Sequence, residues 1–317
     1  MNIIQEALDA EKRIKPHIIE TQLEYSYFLS KLGNCNVYLK LENMQITGSF
    51  KLRGSMNKIL STLEEKSDAE FVTASSGNHG LAFAYTINKF GLKGTLYLPT
   101  TTSSAKREPI EQYDVEVSFY GDDCVKTEIY AREIAEKNNQ VFISPYNDLK
   151  IIAGQSTIAI ELEKQLQPLD YILVPIGGGG LISGIAGYLK EKNSTAIIIG
   201  CQPVNSAVMY ESVKTGKILD LPSKPTLSDG TAGGIEKNAI TFDLCKQYVD
   251  DYILVTEDEI KKAIKIILEK HFMLIEGAAA LSVASFIKNS KKFESKNVVL
   301  ILSGSKIDSE KLKKILI

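Results

Sequence analysis

Neither sign of charge dominates this chain of 317 residues, in which 37 Lys and Arg stand against 39 Asp and Glu. A basic footprint for nucleic acid or an anionic membrane surface is therefore missing, and a small neutral or zwitterionic partner is the natural expectation. Cysteine is scarce: Cys35, Cys124, Cys201 and Cys245 lie far apart with no CxxC pair. That spacing argues against a zinc site or a disulfide framework and suits a reducing compartment, leaving four ordinary buried thiols as the expectation. Long apolar runs are also missing. No stretch approaches the roughly 18 residues of a membrane span, and the opening MNIIQEALDAEKRIK carries charges throughout, unlike a signal peptide. A soluble, cytoplasmic protein with no membrane and no nucleic-acid partner is expected.

What the chain does possess is rhythm. Apolar, β-branched runs at 70–75, 94–99, 115–120 and 141–144 alternate with helical patterns, and the alternation resumes after residue 150 with runs at 170–176, 195–201, 252–257 and 297–303. Strands buried on both faces read as continuous apolar runs, so this alternation predicts an α/β fold of two parallel-rich twisted sheets flanked by helices. The one long stretch rich in Gly, Pro and Ser is LDLPSKPTLSDGTAGGIEKN, residues 219–238. Loops of that length are usually functional or mobile.

Three short stretches carry chemistry. PIGGGGLISG follows a strand and opens a helix, so Gly177, Gly178, Gly179 and Gly180 present bare backbone N–H groups to a phosphate at a helix N-terminus. It matches neither GxGxxG nor GxxxxGK[ST], which points away from a dinucleotide or a nucleoside triphosphate. SSGNHG, Ser75 to Gly80, sits at another strand-to-helix junction and suits a carboxylate, with plain N-capping as the alternative. TGSFKLRG places Lys51 between Phe50 and Leu52. An amine in apolar surroundings has a lowered pKa, and its neutral form attacks an aldehyde or takes a proton, although a lone lysine of this kind is more often a snorkelling surface residue. A phosphate cradle in the same chain changes that weighing, because the aldehyde cofactor that carries a phosphate is pyridoxal phosphate.

TGSFKLRG, SSGNHG, PIGGGGLISG and LSGSKID, in this order, resemble the pyridoxal-phosphate-dependent serine and threonine dehydratases, the fold-type II family that includes serine racemase. The resemblance runs from about Thr21 to the C-terminus. It implies a large domain of residues 1–48 and 148–317, a small domain of residues 49–147, and pyridoxal 5′-phosphate between them. It also implies that Lys51 carries the cofactor and removes the substrate Cα proton, with Phe50 beside it. Residues 177–180 would bind the phosphate, Asn78 the 3′ oxygen and Ser303 the pyridine nitrogen. Ser75, Ser76, Asn78, His79, Gly230 and Glu276 are the implied substrate contacts, and Ser76 matches the proton donor of serine racemases. The implied activity is elimination from L-threonine, L-serine or a related 3-hydroxy amino acid to a 2-oxo acid and ammonia, by a homodimer. Racemisation is the alternative, and an inactive cofactor-binding regulatory paralogue the alternative of another class.

Departures from the family pattern set further expectations. Relatives that hold a divalent metal carry a Glu where this chain has Gln202 and an Asp near Val208, so no metal site is expected. SGSK replaces SGGN, which puts Lys306 close to the implied ring-nitrogen contact. The chain ends about 14 residues after Ser303, so no C-terminal effector domain is expected. The forms around Lys51 and Ser75 differ from the SVKDR and TSGNTG of cysteine synthases, and His79 differs from the usual Thr of threonine synthases.

Overall fold

The eight apolar runs read from residue 70 onward all become strands, and two strands precede them. In the computed structural model, which describes residues 2–317 except for the side chain of Ala105, the strands are β1 Leu23–Tyr25, β2 Asn36–Lys40, β3 Phe71–Ala74, β4 Gly94–Leu98, β5 Glu116–Phe119, β6 Val141–Phe142, β7 Tyr171–Pro175, β8 Ile197–Pro203, β9 Asp251–Val255 and β10 Asn297–Ile301. They form two sheets. One has four strands in the order β5-β4-β3-β6, all parallel, and the other has six in the order β1-β2-β10-β7-β8-β9, parallel except for β1 against β2.

The apolar runs are explained by cover on both faces. On β7, Leu173 faces one hydrophobic core while Ile172 and Val174 face another; on β10, Val298 and Leu300 alternate with Val299 and Ile301 in the same way. Helices supply the cover because each parallel crossover returns the chain over the sheet. In the smaller sheet, Phe71 and Leu96 pack against Phe83 and Ile87 of the helix Asn78–Phe90. Val72 and Ala74 face Ala131 and Ala135 of the helix Cys124–Lys137.

Two helices join the sheets. Lys51–Glu65 packs along Leu149–Gln165, whose start is capped by Asp148 accepting from the N–H groups of Lys150 and Ile151. The contact is a backbone approach: a Cβ on Gly154 would lie 2.5 Å from the carbonyl oxygen of Arg53. Glycine is therefore required there.

Residues 219–238 contain no regular element beyond a 3-10 turn at Asp229–Thr231. Cys35, Cys201 and Cys245 are buried, but Cys124 is exposed, correcting the expectation of four buried thiols. It opens a surface helix behind its Asp123 cap. No helix among the described residues is long and apolar enough to cross a membrane.

Candidate active site

Lys51 begins the helix Lys51–Glu65, directly after the residue that ties this segment to the end of β10: the Phe50 N–H donates to the Ser303 carbonyl at 3.2 Å, and Ser49 bridges to Gly304. The Lys51 amine donates to the carbonyl of Pro145 at 2.7 Å and lies 5.3 Å from the centre of the Phe50 ring. Burial pulls its pKa down to about 8, opposed by the negative charge of Glu276. A solvated surface lysine would show neither feature.

Two residues further on, Arg53 is wholly buried in a charge cluster. Its guanidinium donates to both oxygens of Glu42, at 2.8 Å each, and to both of Glu161, at 2.6 and 2.9 Å. Lys40 donates to Glu161 at 2.5 Å and to the Thr21 carbonyl at 2.7 Å. Two cations and two anions thus neutralise one another out of water, and they anchor the helix that presents Lys51.

Pro145 leads to the glycines. The ring of Tyr146 lies 2.5 Å from where a Cβ on Gly178 would fall, and the Tyr146 Cβ lies 3.0 Å from where one on Gly180 would. Gly179 has φ +88° and caps the helix Gly180–Glu191, a conformation that side chains resist. The first N–H groups of that helix have no intrahelical acceptor. Gly177 is crowded from the other side, its missing Cβ 2.9 Å from the Cα of Thr231.

The SSGNHG stretch leaves the end of β3 and enters the helix Asn78–Phe90, with Ser75 Oγ accepting from the Gly77 N–H at 3.3 Å. Ser75 and Ser76 remain partly exposed. Asn78 turns toward Glu276 and donates to both of its oxygens, at 3.0 and 2.9 Å. Glu276 is buried, and burial pushes its carboxyl up to about 7 against the Asn78 hydrogen bond. Gly304 and Gly230 close around it: a Cβ on Gly304 would sit 2.7 Å from Glu276 Oε1, and one on Gly230 would sit 3.5 Å away. Ser303, at the strand end, is only 2% exposed.

His79 needs a correction. Its imidazole points away from this cluster, with Nε2 within 3.1 Å of Thr73 Oγ1 and 3.0 Å of the Ile143 carbonyl. Burial, reinforced by Lys51, holds its pKa at about 3, so the ring is neutral. One residue along a helix rotates a side chain by roughly 100°, which carries His79 into the sheet while Asn78 faces the cleft. What His79 offers there is its backbone N–H in the first helical turn. Gln202 spends its amide on backbone groups, donating to the Ile176 carbonyl at 3.3 Å and accepting from the Tyr210 N–H at 2.8 Å. Lys306 encloses its amine without a partner; burial lowers its pKa, and Lys106 adds to the effect while Glu276 opposes it.

Sequence reasoning missed Tyr146 and Arg53. TGSFKLRG contains Arg53 in plain view, but its partners lie 11 and 108 residues away. Tyr146 sits in no motif.

A buried amine with a lowered pKa stands beside a glycine-lined helix N-terminus, a hydroxyl at a strand end and an amide–carboxyl pair, an arrangement that suits an aldehyde cofactor carrying a phosphate. The cofactor fits this site on the structure's own terms. The four glycines carry no side chains over the N–H groups at the start of the helix Gly180–Glu191, and Asn78 Oδ1 is buried with its hydrogen-bonding capacity unused. Residues 14–304 match the family model of pyridoxal-phosphate-dependent enzymes. A catabolic L-threonine dehydratase of Staphylococcus aureus is 38% identical over 304 residues, covering 95% of this chain and 88% of that protein. Among solved structures, the processed form of threonine deaminase isoform 2 from Solanum lycopersicum superposes with a TM-score of 0.94 at 31% identity, covering 99% of this chain and 87% of that one. Maize serine racemase gives a TM-score of 0.91 at 30% identity, covering 99% and 96%. This chain belongs to the pyridoxal-phosphate-dependent enzyme family, in its fold-type II branch, and its cofactor is pyridoxal 5′-phosphate.

The lowered pKa of Lys51 makes a testable statement about cofactor uptake. The amine attacks an aldehyde only when neutral, so the rate at which the apoprotein develops a visible Schiff-base band should rise with pH and level off above about 8. A rate still climbing through pH 10, as for an ordinary lysine, would contradict the buried setting.

Proposed function

We propose that this chain is an ammonia-lyase that converts L-threonine, L-serine or a related 3-hydroxy amino acid to a 2-oxo acid and ammonia. The observation that carries the reading is Lys51: a buried amine with its pKa at about 8, held by Pro145 next to the ring that walls the glycine cradle. The names of the threonine dehydratase and threonine deaminase relatives support the substrate class.

The residues divide the work as follows. Gly177, Gly178, Gly179 and Gly180 would hold the phosphate through N–H groups, Asn78 would serve the 3′ oxygen and Ser303 the ring nitrogen, with Phe50 beside Lys51. When bound, the cofactor withdraws electrons from the substrate Cα and makes its proton acidic. Ser75, Ser76 and the first N–H groups of the helix Asn78–Phe90 grip the substrate carboxylate. Lys51 Nζ, in its neutral form, takes the Cα proton. The β-hydroxyl leaves as water, and water then replaces the amino nitrogen, so the products are a 2-oxo acid and ammonia. Gly230 and Glu276 border the same space. At Ser303 the chain would offer the ring nitrogen a neutral hydroxyl in place of a carboxylate, a setting that would suit elimination.

The second reading is racemisation, supported by Ser76 on the SSGNHG loop and by the serine racemase likeness. Ser76 would then return a proton on the face opposite Lys51. We further take residues 49–147 as a small domain that closes on the rest, and a cytoplasmic homodimer as the working assembly. An exposed apolar face supports the dimer: Phe272 is 88% and Tyr27 83% exposed, with Phe28 and Leu274 beside them.

The test is a panel of D- and L-3-hydroxy amino acids assayed both for 2-oxo acid and for the opposite enantiomer, with and without chelator. We expect 2-oxo acid from L-threonine or L-serine, unchanged by chelator because Gln202 offers no carboxylate. Enantiomer formation without 2-oxo acid would favour the racemase, and neither product from any substrate would favour an inactive paralogue.

A further inference from the structure

The long segment 219–238 touches the site at Thr231 and Gly230. Thr231 is tied to Ser228 within the segment, and the chain on either side of it is held by the Leu227 N–H donating to Glu257 at 2.7 Å and the Gly233 N–H donating to Ser206 Oγ at 3.2 Å. The segment's downstream end is fastened by Glu236. One carboxylate oxygen accepts from Arg132 Nη2 at 3.0 Å and the other from Asn147 Nδ2 at 2.8 Å. The Glu236 N–H donates to the hydroxyl of Tyr146 at 2.9 Å. Asn147 in turn accepts from the Ile240 N–H at 2.9 Å, just beyond the segment. Arg132 is held ready for this role: Glu128 accepts from it at 2.7 Å, and its guanidinium lies 4.2 Å from the centre of the Phe142 ring.

Three separate parts of the fold therefore meet at one residue. Arg132 belongs to a helix on the four-stranded sheet, Tyr146 and Asn147 to the connection that runs from Lys51's partner Pro145, and Glu236 to the loop that seats Thr231 against Gly177. Tyr146 is itself the wall of the glycine cradle.

We propose that Glu236 is a positioning residue: it clasps the loop 219–238 to Arg132, Asn147 and Tyr146, and so holds Thr231 and the Tyr146 ring where the glycine cradle can grip the cofactor's phosphate. The clasp rests on the proposed function for its role in turnover, but not for its role in cofactor binding. Both carboxylate oxygens and the backbone N–H are used, so the contact is a three-point one and more rigid than a single exposed ion pair.

The experiment titrates apoprotein with pyridoxal 5′-phosphate and reads the visible band, for wild type, Glu236→Ala, Arg132→Ala and the double variant. Glu236→Ala should weaken cofactor binding about five- to tenfold, with the melting temperature of the apoprotein little changed. The double variant should bind no more weakly than Glu236→Ala, because the two residues act through one contact. Tyr146→Phe, which removes the acceptor for the Glu236 N–H and keeps the ring, should fall between wild type and Glu236→Ala. Wild-type binding by Glu236→Ala, or strictly additive losses in the double variant, would overturn the clasp. A wild-type protein that fails to bind the cofactor would instead strike the proposed function itself.

Discussion

Lys51→Ala should lower 2-oxo acid formation by at least ~10³-fold and abolish the visible Schiff-base band, while leaving the folded state intact. The size follows from two losses at one atom. The covalent attachment point disappears, and so does the base that takes the Cα proton, a role typically worth ~10²–10⁴-fold alone. The fold should survive because the Lys51 amine has one neutral partner, the Pro145 carbonyl, and is not part of the buried charge cluster. Removing a buried amine also removes its desolvation cost, so stability should hold or rise slightly. Far-ultraviolet dichroism and a melting curve check the fold; steady-state turnover checks the chemistry. Turnover at the wild-type rate would remove Lys51 from the mechanism.

Arg53→Met should have the opposite profile, a large loss of stability with chemistry affected only through it. The substitution keeps roughly the aliphatic stem of the side chain, removes the guanidinium and leaves Glu42 and Glu161 buried. Lys40 still reaches Glu161, whereas Glu42 keeps only the hydroxyl of Thr21 at 2.6 Å. Breaking a buried pair in this way costs about 3–5 kcal/mol, because the surviving charge has neither water nor partner. Arg53→Lys should recover only part of it, since an ammonium cannot reach both carboxylates in two parallel forks. Replacing Glu161 by Gln should cost less than Arg53→Met, because the paired contact between Arg53 and Glu42 remains. Urea unfolding of the three variants measures the order. A wild-type midpoint for Arg53→Met would show that the cluster contributes nothing to the fold.

These two residues stand two positions apart in TGSFKLRG, and they separate what a local pattern reveals from what it hides. From residue 70 onward the central strands, β3, β7, β8 and β10, were legible because they lie inside parallel sheets, covered on both faces, and so read as unbroken apolar runs. The first two strands were not. β1 spans three residues at a sheet edge with only partial burial, and β2 ends in Lys40, which breaks the apolar pattern. Lys40 is inside only because Glu161 waits 121 residues later. The glycine stretch was legible as a phosphate cradle because a strand, four glycines and a helix are contiguous. The Tyr146 wall and the Glu236 clasp were not, as they join segments 90 residues apart. His79 was misplaced for a related reason: adjacency in SSGNHG suggested a shared surface, while the turn of the helix sends its ring into the sheet.

The sequence by itself made legible the α/β rhythm, the apolar setting of Lys51, the glycine stretch 177–180 and the SSGNHG loop, because each depends on residues within one turn or one strand-to-helix junction. The tertiary structure alone decided which charges are buried, that burial brings the Lys51 pKa down to about 8, that Glu276 faces Asn78, and that His79 does not face the cleft. Periodicity is a property of neighbours along the chain. Burial, and with it the cost of a charge, is a property of neighbours in space.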